Sequence, residues 1–179
     1  AHAATAATYN DGVYVLEVTT FESYWDYNGE FDSSNEVVGI SDVTISLNAN
    51  NQIVCSFKTL IYDSIGQLLK SQSTFTVTVE NKSCMEAISH EFVASYDLSG
   101  AFNYKAKGTL TRAARTEHTG GTATCVAKAK CSVCGEEYGE LSTTHDWGDW
   151  TTSGGRHILT CTLNTTHTES GDCSYSAAT

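Results

Sequence analysis

Residues 43–62 read VTISLNANNQIVCSFKTLIY. Two runs rich in β-branched and aromatic side chains flank an Asn-rich break, which is the pattern of a β-hairpin. In the second arm Ile53, Cys55, Phe57 and Ile61 share one parity, and Ser56 and Lys58 the other. A strand therefore turns the first four toward a core. The same alternation continues on both sides. GVYVLEVTTF (12–21) reads as a strand, and Phe75, Val77 and Val79 alternate with Thr76 and Thr78. HEFVASYDLSGAFNYKAKGTLT (90–111) reads as a further hairpin that turns at 97–100. Six or seven strands at this spacing predict an antiparallel β-sandwich or open barrel over residues 1–112. No segment sustains a 3.6-residue apolar period, so the whole chain is expected to be mainly β.

Charge and composition narrow the function classes. The 179 residues carry a formal net charge of −11 and a pI near 4.8, which makes nucleic acid and anionic membrane poor partners. No run approaches the ~18 apolar residues of a membrane-spanning helix. The opening AHAATAAT (1–8) lacks the basic start and apolar run of a signal peptide, and its small residues suit a mature end left after cleavage. With a Thr-, Ser-, Asn-, Gly- and Tyr-rich composition and no proline, the chain is expected to be secreted, extracellular or at a cell surface.

The grammar changes near residue 112. Strand alternation fades, glycine rises, and five of the seven cysteines and four of the six histidines follow. So few apolar residues cannot form a core, and a segment of this kind needs disulfides or metal as staples. Two loop-rich modules are expected, 113–150 and 151–179. In the first, Cys125, Cys131, Cys134 and His145 are spaced C-x5-C-x2-C-x10-H, and CSVCG (131–135) has the form of a metal knuckle. In the second, His157, Cys161, His167 and Cys173 are spaced H-x3-C-x5-H-x5-C. Each set matches a four-ligand zinc site, so two structural zinc ions are expected. His118 is a rival to His145 for the first set. Disulfides are the other reading of cysteines in a secreted chain. Cys55 and Cys84 remain over as a disulfide candidate in the β-rich half.

HTGGTATCVAKAKCSVCGEEYGE (118–140), HDWGDW (145–150), GGRHILTC (154–161) and HTESGDC (167–173) together resemble the short Cys/His-rich, zinc-ribbon-like repeats of secreted surface proteins of anaerobic Gram-positive bacteria. The resemblance covers residues 118–176 and implies a cell-surface location rather than an activity. One departure is CTLNTTH (161–167), where many relatives carry a C-x2-C knuckle.

ESYWDYNGEFDSSNE (22–36) gathers Tyr24, Trp25, Tyr27 and Phe31 with carboxylates, a set that suits sugar stacking or a subunit contact. A hairpin turning at Asn28-Gly29 explains the same residues. No nucleophile motif or phosphate-binding glycine loop appears, so enzyme activity is not expected. The expected function is structural: a building unit of a cell-surface assembly or filament, retained by self-association. An adhesin-type module that binds a glycan or host protein is the alternative. The small-residue tail, 1–10, is expected to add as a strand to another copy.

Overall fold

The computed structural model describes residues 5–10, 12–25, 30–63, 65–71, 73–98 and 102–173; side chains at 5–6, 24–25, 30–36, 97–98 and 102 lie outside the description. Strands dominate, every ladder is antiparallel, and no helix occurs among the described residues. The chain divides into two compact units, Ala1–Glu117 and His118–Thr179.

The first unit holds two sheets, neither closed into a barrel. One is built on β2 (Tyr14–Trp25), with β9 (Phe102–Arg112) along one side and β8 (Ile88–Leu98) beyond it. The other side of β2 is shared by β1 (Thr5–Tyr9) and β3 (Glu30–Glu36). The second sheet is built on β5 (Gln52–Tyr62), with β4 (Gly39–Leu47) on one side. Its other side is shared by β6 (Leu68–Lys70) and β7 (Phe75–Glu80).

The hairpin read from residues 43–62 is present, and its turn has a chemical cause. The Asn48 side-chain oxygen accepts from the backbone N–H groups of Asn50 at 3.0 Å and Gln52 at 2.9 Å. Asn51 takes the left-handed conformation that Asn tolerates, with φ of 57°. Ile53, Cys55, Phe57 and Thr59 are fully buried in β5, and Phe75, Val77 and Val79 are buried in β7 while Thr76 and Thr78 are exposed. From the facing sheet Leu16, Val18, Phe92, Ala106 and Leu110 enter the same core. Phe57 lies 5.7 Å from Phe75 and 5.8 Å from Phe92, ring centre to ring centre, so it touches both layers.

The tail does not behave as the sequence suggested. Residues 5–9 form β1 and pair with β2 of their own chain, from Thr5 opposite Val18 to Tyr9 opposite Tyr14. The reason lies in the link: Asn10 at φ 52° and Gly12 at φ 84° bracket a tight turn, closed by Val13 N–H to the Asn10 carbonyl at 3.2 Å. Backbone pairing holds a small-residue strand that side-chain burial alone would not, and Tyr9 packs on the core.

Arg112 closes the end of β9 and is 1% exposed. Its guanidinium donates to the Asn81 side-chain oxygen at 2.9 Å and to the carbonyls of Lys82 at 2.7 Å and Ser83 at 2.9 Å. These bonds fix the loop after β7 and with it the next residue, Cys84, whose carbonyl accepts from Arg115 N–H at 2.8 Å.

The second unit contains two small sheets. One is a two-residue ladder of β10 (Ala129–Lys130) and β11 (Glu137–Tyr138). The other joins β12 (Thr151–Ser153), β13 (Arg156–Thr160) and β14 (Thr168–Asp172) in chain order. Residues 118–179 form one unit where two modules, 113–150 and 151–179, were expected. The chain on either side of residue 150 is tied together: Trp147 bridges to Cys161, Gly148 N–H reaches the Thr160 carbonyl and Thr162 N–H the Asp146 carbonyl.

Candidate functional site

The chemistry of the chain concentrates in the second unit. Cys125, His145, Cys161 and His167 present one ligand atom each, all within 4.8 Å of one another. Three local structures assemble them. Ser142 N–H bonds the Thr124 carbonyl at 2.9 Å, which carries the chain leading to His145 alongside Cys125. The bridge between Trp147 and Cys161 then brings in the third residue. A turn from 161 to 167, closed by Cys161 N–H to the His167 carbonyl at 2.9 Å, returns the fourth.

The atoms in this group have the environment of metal ligands. The Cys125 and Cys161 sulfurs lie 3.5 Å apart. They are not bonded to each other, and two sulfurs at ~2.3 Å from a shared tetrahedral ion lie about 3.8 Å apart. The imidazoles of His145 and His167 meet edge to face at 4.9 Å. Nδ1 of each is buried without a hydrogen-bond partner, which costs about 1–3 kcal/mol apiece unless something binds there. Burial opposes the charged form of the Cys161 thiol. The Leu163 N–H, His145, the Asn164 N–H and Cys125 outweigh it and bring the thiol down to about 7. Burial, with Cys161 beside it, pushes the Cys125 thiol up.

His118, Cys131 and Cys134 form another group, again with ligand atoms within 4.8 Å of one another. The knuckle read from CSVCG folds as a tight turn, with Gly135 N–H on the Cys131 carbonyl at 2.8 Å and Gly135 at φ 75°. Burial raises the Cys131 thiol, but N–H groups of Thr119, Cys134 and Val133, together with His118, prevail and lower it to about 6. His118 Nδ1 is 3.5 Å from the Cys134 sulfur, while its Nε2 is 3.6 Å from a Glu136 carboxylate oxygen. The same Glu136 oxygen lies 3.7 Å from the Cys134 sulfur, so the carboxylate sits beside both residues of the group. Tyr138 stacks on the His118 ring at 5.3 Å and anchors itself by donating to the Gly120 carbonyl at 2.6 Å.

The partition by sequence order is therefore corrected. Cys125 and His145 do not join Cys131 and Cys134, and Cys161 and His167 do not join His157 and Cys173. His118 takes the place given to His145. His157 lies in β13, exposed, and meets Trp150 at 5.7 Å. Four residues along a strand are ~13 Å, so His157 and Cys161 are too far apart to share an ion, whereas the same spacing on a helix would suit one. Cys173 is half-buried, its N–H bonded to the Gly155 carbonyl at 3.1 Å.

In the first unit Cys55 and Cys84 are buried and form no disulfide with each other. Cys55 points into the core from β5, where burial pushes its thiol up to about 11. The Cys84 sulfur instead lies 3.7 Å from the carbonyl of Glu117, the residue before His118 in sequence. Of the aromatic set, Tyr24 and Trp25 belong to β2 and Phe31 to β3, with Tyr24 opposite Phe31 in register. The backbone thus forms the expected hairpin; those side chains and the whole of Tyr27 lie outside the described residues. No protein-family model, curated protein or solved structure matches the chain.

Proposed function

We propose that this protein is an extracellular structural protein, a building unit of a cell-surface assembly, whose C-terminal unit is held by two structural zinc ions. The observation that carries the reading is the set of Cys125, His145, Cys161 and His167, which supplies two thiols and two imidazoles to one point. Mixed sulfur and nitrogen donors select zinc over hard cations, and a filled tetrahedral shell leaves no position for substrate. Metal in this role staples a fold. It also keeps thiols from oxidation in the extracellular medium, where unprotected cysteines pair.

Self-association is supported by the first unit. Among the described residues strand β8 pairs with β9 alone, eleven residues in unbroken register, so its other side is a long edge. Val93 on its outward face is 58% exposed. A long edge without a bulge is a template for another strand, and a head-to-tail contact repeated through it extends into a fibre. The partner on this reading is a second copy of the chain; nucleic acid is not one.

The test combines elemental analysis with electron microscopy of native material. Two zinc ions per chain and fibres or sheets are expected, and Val93→Lys, which places a charge beside the edge, is expected to shift the protein toward monomer. A chain that stays monomeric at every concentration would overturn the assembly reading in favour of a binding module. Absence of zinc, with disulfides in its place, would overturn the metal reading.

A further inference from the structure

Two turns of the second unit share one construction, although their sequences have only a cysteine in common. In CSVC (131–134) the first sulfur accepts from the backbone N–H groups of Val133 and Cys134. In CTLN (161–164) the first sulfur accepts from those of Leu163 and Asn164, at the same two offsets. Each cysteine directly follows a strand, β10 or β13, and each turn leads into that strand's partner, β11 or β14. In both, the cysteine's own N–H crosses to the returning chain. Cys131 reaches the Glu136 carbonyl at 2.8 Å and Cys161 the His167 carbonyl at 2.9 Å. The turn at 161–164 thus repeats the knuckle, with Asn164 standing where Cys134 stands in the first.

A carboxamide offers zinc no thiolate, so this turn needs a ligand from elsewhere. Its loop is one residue longer, and all the polar groups of Asn164 serve that extra length. Its N–H goes to the Cys161 sulfur, and its carbonyl accepts from His167 N–H at 3.0 Å. Its side-chain oxygen accepts from the Thr166 N–H at 3.0 Å and hydroxyl at 2.8 Å. The backbone N–H can only donate, which fixes the amide's orientation and leaves the amide nitrogen 3.3 Å from His167 Nε2. These bonds curl residues 164–167 into a further turn that brings the His167 imidazole among Cys125, His145 and Cys161.

We infer that Asn164 is the positioning residue of this site: it fills the second-ligand position of a knuckle without ligating, and cedes that place in the coordination shell to His167. This rests on the metal reading above. The exchange decides the donor set. Two thiolates balance the charge of a divalent ion, whereas a cysteine at position 164 would supply a third.

The experiment loads the full chain with cobalt(II) in place of zinc, because each thiolate on cobalt adds charge-transfer absorption in the near ultraviolet. Asn164→Cys is expected to raise that absorption by one thiolate's contribution. His167→Ala is expected to lose one ion per chain, and Asn164→Cys combined with His167→Ala to regain it. Asn164→Ala, which keeps the backbone bonds and removes the amide, is expected to weaken the ion at this site about tenfold or more. Asn164→Cys alone keeps all four native ligands, so its spectrum decides the matter where the double variant fails to fold. An unchanged cobalt spectrum in Asn164→Cys, or wild-type affinity in Asn164→Ala, overturns the inference. A wild-type chain that takes up neither zinc nor cobalt overturns the metal reading itself.

Discussion

Chelating metal from the intact protein is expected to unfold residues 118–173 while strands β1 to β9 stay folded. The reason is the make-up of the second unit's interior. Its buried apolar residues, among those described, are Cys125, Ala129, Cys131, Cys134 and Cys161. Four of these five are candidate ligands, and an alanine adds little transfer energy. Strands β12 and β14 are exposed throughout, so sheet formation there buries almost nothing. Structural zinc contributes on the order of 10 kcal/mol of folding energy, and on the proposed reading that holds this unit together. Hydrogen exchange reads the result directly. Amides of β13 and the knuckle should exchange freely after chelation, while those of β5 and β9 keep their protection. Retained protection in β13 without metal would show that the unit folds on other grounds.

Phe57→Ala is expected to destabilise the first unit by about 3–5 kcal/mol. Phe57 is fully buried and stacks on Phe75 within its own sheet while meeting Phe92 of the facing one. Removing the ring leaves a cavity at the seam between two layers whose backbones are fixed by long ladders, so collapse is restricted. Thr76→Ala, on the exposed face beside it, is expected to change stability by no more than about 0.5 kcal/mol. Urea unfolding of the two variants checks this: the midpoint should fall for Phe57→Ala with little change in slope. A loss below ~1 kcal/mol would mean that the sheets repack around the gap.

The two-sheet unit was legible because its signals are local. Alternation in 53–59 and 75–79 depends only on strand geometry, and the Asn48 turn depends on one side chain bonding its own backbone. Strand β1 was expected on another copy because no large apolar side chain precedes Tyr9 to hold it on its own core, although the turn signal that folds it back, Asn10 followed by Gly12, is local. The ligands divide the same way. The knuckle of Cys131 and Cys134 is a four-residue turn and could be read directly. The partners of Cys125 could not, because they depend on the bridge between Trp147 and Cys161 and on the tie between Thr124 and Ser142, neither of which has a local signature. Grouping ligands by order along the chain assumes that neighbours in sequence share an ion, and interleaving defeats that assumption.

The assignment of one ion to Cys125, His145, Cys161 and His167 excludes His157 and Cys173. Its most direct test is the zinc content of a variant carrying His157→Ala and Cys173→Ser together, measured beside His145→Ala. The double variant is expected to keep two zinc ions per chain and His145→Ala to lose one. Loss of an ion from the double variant, with both retained in His145→Ala, would contradict the account.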